Sequence, residues 1–322
     1  MRYHFVLNGY LQNCQKLMQE MKAFKEMYLS DAEEGITYLY CQSEEIAKQL
    51  NGQLTKNVSV LAAEEYVPET VLKGLEELAK PKEIYIFGSD YAGEELAVRL
   101  GARMGGSSLT AVSSVGIENG TEDKIKAGKM VYSNHMEAVF QMKKGPYCIS
   151  LAKGFAKMEL HPGQMQITEV HNFNDKDATS YIIKRSFVPE DQEEGLEEAK
   201  VLIAAGRGIG KKEHIALLQE LAERTGGQVG VSRPAAMNAW LPMNHLIGVS
   251  GAMTNPEVCI TVGASGAAAF YAGIEKSKFI VAVNTDEKAP IMKNADVVVV
   301  EDFKPFIEAL NKILEKHKIR EV

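Results

Sequence analysis

The sequence predicts an α/β protein of two domains, the C-terminal one a doubly wound parallel sheet, on three observations. From Lys200 onward short apolar, β-branched runs alternate with amphipathic helical stretches, the pattern of parallel strands joined by crossover helices. In PEVCITVG, residues 256–263, one such run ends at Gly263 and passes directly into the small-residue segment ASGAAAFYAG. Between the two halves lies EDQEEGLEEAK, residues 190–200, acidic and without strand character.

In the first half the strand-like runs are ITYLY, VSVLA, EIYIFG and PYCISL, and the helical patterns cover Asn13 to Met27 and Glu69 to Lys80. An N-terminal α/β domain is therefore expected over residues 1–188. The acidic run reads as an exposed linker or as a helix preceding a new unit, with the boundary after Pro189. The second domain, residues 197–322, reads in order as strand AKVLIAA, helix KKEHIALLQELAERTG closed by Gly226, then strands QVGVS, PEVCITVG, FIVAVN and DVVVV. FKPFIEALNKILEKH is the closing helix.

With 45% hydrophobic and 25% charged residues, the 322-residue chain can bury two cores. A net charge of −7 argues against nucleic acid or an acidic membrane surface as the main partner. No apolar run approaches membrane-spanning length, and MRYHFVLNGY lacks the apolar stretch of a signal peptide, so a cytoplasmic address and no direct membrane insertion are expected. Cys14, Cys41, Cys148 and Cys259 are too scattered for a disulfide framework or zinc site and read as buried thiols. His135, His161, His171 and His214 have no ligand spacing, and neither a metal site nor a catalytic group is assigned.

The candidate binding residues stand at the carboxyl ends of strands, where open α/β sheets take ligands. At the junction after PEVCITVG, Ser265, Gly266 and Ala267 are small enough to let a pyrophosphate reach free N–H groups at a helix N-terminus, which points to a dinucleotide. In AAGRGIGKKE, Gly206, Gly208 and Gly210 space a tight loop. Ala205 and Lys212 stand where a triphosphate-binding P-loop needs Gly and Ser or Thr. What remains is Arg207, either a cation presented to a ligand or a solvated arginine in a turn. Ser232 and Arg233 follow VGV directly, and the guanidinium could lie on a planar ring or rest at the surface. In GVSG, residues 248–251, the Ser250 hydroxyl could donate to a ring nitrogen or cap a turn. Asn284 and Asp302, at or just after strands, could read ribose hydroxyls or an adenine edge, or form turns.

Together these residues resemble a known family. G-R-G at 206–208, V-S-R-P at 231–234, H-x-x-G-x-x-G at 245–251, P-E-x-x-I-x-V-G-x-S-G-A at 256–267 and I-V-A-x-N-x-D-x-x-A-P-I at 280–291 are similar to the α subunit of electron-transfer flavoprotein, the FixB-like proteins. The resemblance is strong over residues 199–317, and FGSDYAGEELAVRLGARMGG and GKMVYSN extend it into the first half. It implies a C-terminal domain that holds FAD and an N-terminal domain that packs on a β-type subunit. The heterodimer would relay electrons between a flavin-dependent dehydrogenase and other redox partners.

Carried over by motif, Arg207 lies near the FAD phosphates, Ser265, Gly266, Ala267 and Ala268 bind pyrophosphate, and Asn284 and Asp302 hold the adenosine half. Ser232 and Arg233 face the flavin, and Ser250, in the turn with Gly248 and Val249, reaches the ring near N5. The chain also departs from the family. Val249-Ser250-Gly251-Ala252 replaces Q-T-G-K, and Ala269-Phe270 replaces Q-H. The missing histidine would place a donor at the pyrimidine side of the flavin, and Phe270 cannot donate. A hydrogen bond to a charged acceptor contributes roughly 1.5–3 kcal/mol, so its absence lowers a one-electron potential by on the order of 60–130 mV. Two other readings stay open: a paralogue without FAD that serves as a scaffold, and a nucleotide-dependent oxidoreductase on the same fold.

Overall fold

Period-two alternation along the central strands builds both faces of each sheet. The computed structural model describes residues 1–11, 14–118, 124–132, 134–155, 157–160, 166–173 and 195–317. The chain divides into two compact units, Met1–Phe187 and Val188–Val322. The expected boundary after Pro189 and the position of His161 lie outside the described residues.

In the first unit the chain runs β1 (Arg2–Asn8), α1 (Cys14–Tyr28), β2 (Glu33–Cys41), α2 (Glu44–Gln49), β3 (Asn57–Ala62), α3 (Pro68–Leu78), β4 (Ile84–Phe87) and α4 (Tyr91–Arg103). It continues through β5 (Ser107–Glu118), β6 (Lys124–Val131), β7 (Met136–Met142), β8 (Tyr147–Leu151) and β9 (Ile167–Asn172). These form one mixed sheet in the order β7-β6-β5-β8-β4-β1-β2-β3-β9. Phe5, Leu7, Ile84 and Ile86 point to one core with Met18, Met21 and Phe24 of α1. Val6, Tyr85 and Phe87 point to the other, with Leu72 and Leu75 of α3 and Leu96 and Leu100 of α4. The pairs β5/β6 and β6/β7 are antiparallel, whereas β1 to β4 pair in parallel.

In the second unit β10 (Val201–Ala205) leads to α5 (Ile215–Thr225), β11 (Gln228–Val231), α6 (Arg233–Met237) and β12 (Val258–Val262). There follow α7 (Ala268–Tyr271), β13 (Ile280–Asn284), β14 (Val297–Val300) and α8 (Phe303–His317). The sheet is parallel throughout, in the order β11-β10-β12-β13-β14. Ile203 and Ala205 pack with Leu218 and Leu221 of α5 and Phe303 and Ile307 of α8. Leu202 and Ala204 pack on the opposite face with Ile247, Phe270 and Ile274. Gly226 ends α5 in the left-handed region at φ +63, its N–H returning to Ala222 and Glu223.

One expectation is corrected here. The segment after Gly263 was expected to be a helix, yet α7 is a single turn of four residues. Gly273 follows within two residues, where a Cβ would meet the Gly248 backbone nitrogen at 2.5 Å, so the close approach of another loop ends the helical stretch. All four cysteines are buried free thiols, and burial pushes Cys14, Cys148 and Cys259 up to about 12 and Cys41 to about 11. No helix among the described residues is long and apolar enough to cross a membrane.

Candidate functional site

The chain leaves β10 for the edge strand β11 and returns on the other side of β10 to form β12, so the winding reverses between β10 and β12. Adjacent loops part at such a reversal and leave a crevice at the carboxyl ends of the strands. A cavity of about 470 Å³ opens there, lined from the ends of β10, β11, β12 and β13.

Close backbone contact fixes its floor. Gly206 N–H donates to the Val262 carbonyl at 2.8 Å and Gly208 N–H to the Gly263 carbonyl at 2.9 Å. A Cβ at Gly206 would lie 2.2 Å from the Gly263 oxygen, and one at Gly208 2.5 Å from it. Only glycine lets these loops meet. The loop after β12 is tied on its other side as well, since Ile291 N–H donates to Ser265 O at 3.1 Å and Asn284 Nδ2 to Ala264 O at 2.8 Å. Gly266 sits at φ +78 against Ile291. The carbonyls of Ala264 and Ser265 are thereby turned into the protein. The N–H groups of Ser265, Gly266, Ala267, Ala268 and Ala269 have no hydrogen-bond partner within the chain among the described residues.

Ser232 occupies the N-cap position of α6 but makes no cap bond. It is 8% exposed, and its Oγ is buried without a partner. A buried unsatisfied hydroxyl costs about 1–3 kcal/mol, and Ser232 lines the cavity, where a ligand can satisfy it. Arg207 and Arg233 also line the cavity, are exposed, and have no ion-pair partner among the described residues. Ser250 lines it from the tip of a tight turn, closed by Gly251 N–H to Gly248 O at 2.8 Å and Ala252 N–H to Leu246 O at 2.7 Å.

The cavity thus brings together Arg207, Ser232, Arg233, Ser250, Ser265, Gly266, Ala267, Ala269, Phe270 and Asn284. Four expected residues stand outside its lining, each for a physical reason. Gly248 has φ +120 and is packed against the Ala269 carbonyl, 2.3 Å from where a Cβ would be. Val249 spends its N–H on that same carbonyl at 2.9 Å and turns its side chain to solvent. Ala268 is the first residue of α7, and Asp302 Oδ1 accepts the Lys304 N–H at 2.9 Å and caps α8. Asn284 is committed too, its Nδ2 to Ala264 and its Oδ1 to the Asp286 N–H at 3.0 Å.

Phe270 is at once wall and core: it lines the cavity yet is 7% exposed and packs with Ile247, Ile274 and Ile291. Asp286, Ala289 and Pro290 also line the cavity, and the D-x-x-A-P spacing just beyond β13 was the signal that could have marked them. Among the described residues no three His, Cys, Asp or Glu side chains converge as a metal site would require.

An open parallel sheet whose switch point presents free amides, a buried unpaired hydroxyl and two guanidinium groups is of the class that takes dinucleotide-type ligands. Residues 195–275, from just before β10 to just beyond α7, match the family described as electron transfer flavoprotein FAD-binding domain. YgcQ of Escherichia coli (strain K12), named for an electron transfer flavoprotein subunit, is 36% identical over 249 residues, 76% of this chain and 83% of that protein. Protein FixB of Clostridium saccharobutylicum is 29% identical over 249 residues, 76% of this chain and 74% of that protein. Electron transfer flavoprotein subunit alpha of Paracoccus denitrificans is 37% identical over 140 residues, 44% of this chain and 45% of that protein. The chain belongs to the electron transfer flavoprotein α-subunit family, the FixB-like proteins.

Proposed function

We propose that the second unit binds FAD in this cavity and that the chain, as a heterodimer with a β-type subunit, relays electrons between a flavin-dependent dehydrogenase and other redox partners. The observation that carries the reading is the buried, unpartnered Ser232 hydroxyl in a cavity also lined by Ser265, Gly266, Ala267 and Ala269, whose N–H groups are free. The donor set fits the group. Arg207 and the Ser265–Ala267 amides supply the cation and N–H groups a pyrophosphate needs, and Ser232, Arg233 and Ser250 supply donors for a heteroaromatic ring.

When bound, FAD supplies the redox chemistry, accepting electrons from one partner and passing them to another. The chain's own part is to hold and surround it. The carbonyls tied inward by Asn284 and Ile291 leave N–H groups as the polar surface of the loop, and Phe270 contributes an apolar wall that excludes water and offers no proton.

The test is the visible spectrum of the chain purified with its β-type subunit. Flavin bands at about 370 and 450 nm, released by denaturation as FAD, are the expected result. A colourless complex would overturn the FAD assignment and leave a scaffold.

A further inference from the structure

Arg207 reaches the cavity from a loop that is held at both ends. After β10 the chain makes one tight turn over Arg207–Ile209, closed by Gly210 N–H donating to Arg207 O at 3.0 Å. Arg207 lines the cavity, whereas Lys211 and Lys212, next along the chain, do not. The near side of the turn is tied by Gly208 N–H to Gly263 O at 2.9 Å, and the Ile209 side chain is buried in the core with Leu218 and Phe303. The far side is held by His214. Its Nδ1 lies 2.6 Å from the Ile209 carbonyl oxygen, and because a carbonyl only accepts, Nδ1 carries the proton and donates it. Phe303, at the start of α8, packs on the imidazole with centroids 5.4 Å apart and planes tilted by 58°.

His214 does nothing for the helix it begins. It stands at the N-cap of α5, where Ser, Thr, Asp or Asn would accept from the first free N–H groups, and it makes no cap bond. The positive end of the helix dipole gives an imidazole no advantage there either. The side chain turns back instead to the carbonyl five residues earlier. Fixing that carbonyl fixes the turn that begins with Arg207. A guanidinium binds an anion through a planar fork, so the direction in which the loop presents it sets how many bonds it can make. A loop already held in that direction also has less freedom to lose when a ligand arrives.

We propose that His214 is a positioning residue of the cofactor site: by donating from Nδ1 to the Ile209 carbonyl it holds the loop so that the Arg207 guanidinium meets the cofactor's phosphates. This rests on the FAD reading above. The test uses the full chain purified with its β-type subunit, stripped of FAD and titrated with it. His214→Asn puts a donor close to the place of Nδ1, and His214→Leu has the shape of His214→Asn without the donor. Both lose the ring, so the difference between them reads the bond alone. His214→Asn should bind FAD within about twofold of the parent, and His214→Leu about threefold to tenfold more weakly than His214→Asn. In an Arg207→Ala background that difference should vanish, because His214 acts through Arg207. Without FAD, amide exchange at Ile209, Gly210 and Lys211 should be faster in His214→Leu than in His214→Asn, with β11 unchanged. A parent that binds no FAD would overturn the FAD reading and this role with it. Equal affinity of the two variants, or a difference that persists in Arg207→Ala, would overturn the role of His214 and leave the FAD reading standing.

Discussion

Asn284 holds the Ala264 carbonyl at 2.8 Å, so the side chain at the end of β13 shapes the loop at the end of β12. Asn284→Ala releases that carbonyl and should raise the FAD dissociation constant about tenfold at any pH, since one hydrogen bond to the loop contributes about 0.5–1.5 kcal/mol and loop order adds to it. Asn284→Asp can still accept from Asp286 N–H but cannot donate to Ala264. The ionised side chain would face the Ala264 carbonyl without a proton to donate, and only the protonated form can restore that bond. Affinity should therefore recover below about pH 4–5 and fall as pH rises. Fluorescence titration across pH checks both variants, and a pH-independent Asp variant would count against the loop-shaping role.

Ser232→Ala should move the free and loaded proteins in opposite directions. Without FAD it removes a buried hydroxyl that has no partner, and the melting temperature should hold or rise. With FAD it deletes a ligand bond and lowers the stabilisation that binding adds. Paired thermal melts decide the matter, and equal losses in both states would place the hydroxyl away from the ligand.

Arg207→Ala and Arg233→Ala separate two jobs. Loss of a cation from a phosphate should weaken FAD about tenfold to a hundredfold with little effect on potential. Loss of Arg233 should also lower the potential, and Arg233→Lys should keep the charge without the planar face. Dissociation constants together with redox titration distinguish the two, and unchanged values in both alanine variants would rule out the placement.

Ala269→Gln with Phe270→His restores a donor to the cavity wall. The flavin potential is expected to rise by on the order of 60–130 mV. Phe270 packs with Ile247, Ile274 and Ile291, so the polar ring should also cost roughly 1–3 kcal/mol of stability. A stability loss with an unmoved potential would show that the ring at 270 does not face the flavin.

The first unit should be acid-sensitive through His4. Its Nδ1 accepts the Ile36 N–H at 3.2 Å, which leaves the proton on Nε2 to be donated to Glu83 at 2.9 Å. The ring is stacked on Tyr85. Burial lowers its pKa below 6.5, outweighing Glu83 and helped by Arg2 and Lys80. A lowered folded pKa means that the unfolded chain takes up the proton first. Stability is complete above about pH 6.5 and is lost as pH falls toward the folded value. Urea midpoints at pH 7.5 and 5 should differ in the parent and much less in His4→Gln.

The strands of the second unit were legible because VLIAA, CITV and IVAV are continuous apolar runs, the mark of strands buried on both faces. Its candidate ligands were legible because they stand at strand ends. The arm of β5 to β7 was legible only in GKMVYSN, by resemblance, since Lys, Ser and Gly interrupt its apolar residues and no helix separates its strands. Nor was the loop-shaping role of Asn284, because its partner is a backbone carbonyl that no side-chain pattern reports. The capping of α8 by Asp302 was hidden for a related reason: the residue that follows a strand here also precedes a helix, and Asp serves at both.

Gly208 and Gly263 meet where β10 and β12 pair, and the chain makes and leaves β11 in between. The cavity floor is thus a nonlocal contact that carries the entropy cost of closing a long loop. A chain in which that contact is open has all the residues of the site without their arrangement. Cofactor added during refolding should then leave the folding rate unchanged and slow only unfolding, so the ligand acts as a latch on a finished sheet rather than as a template for it.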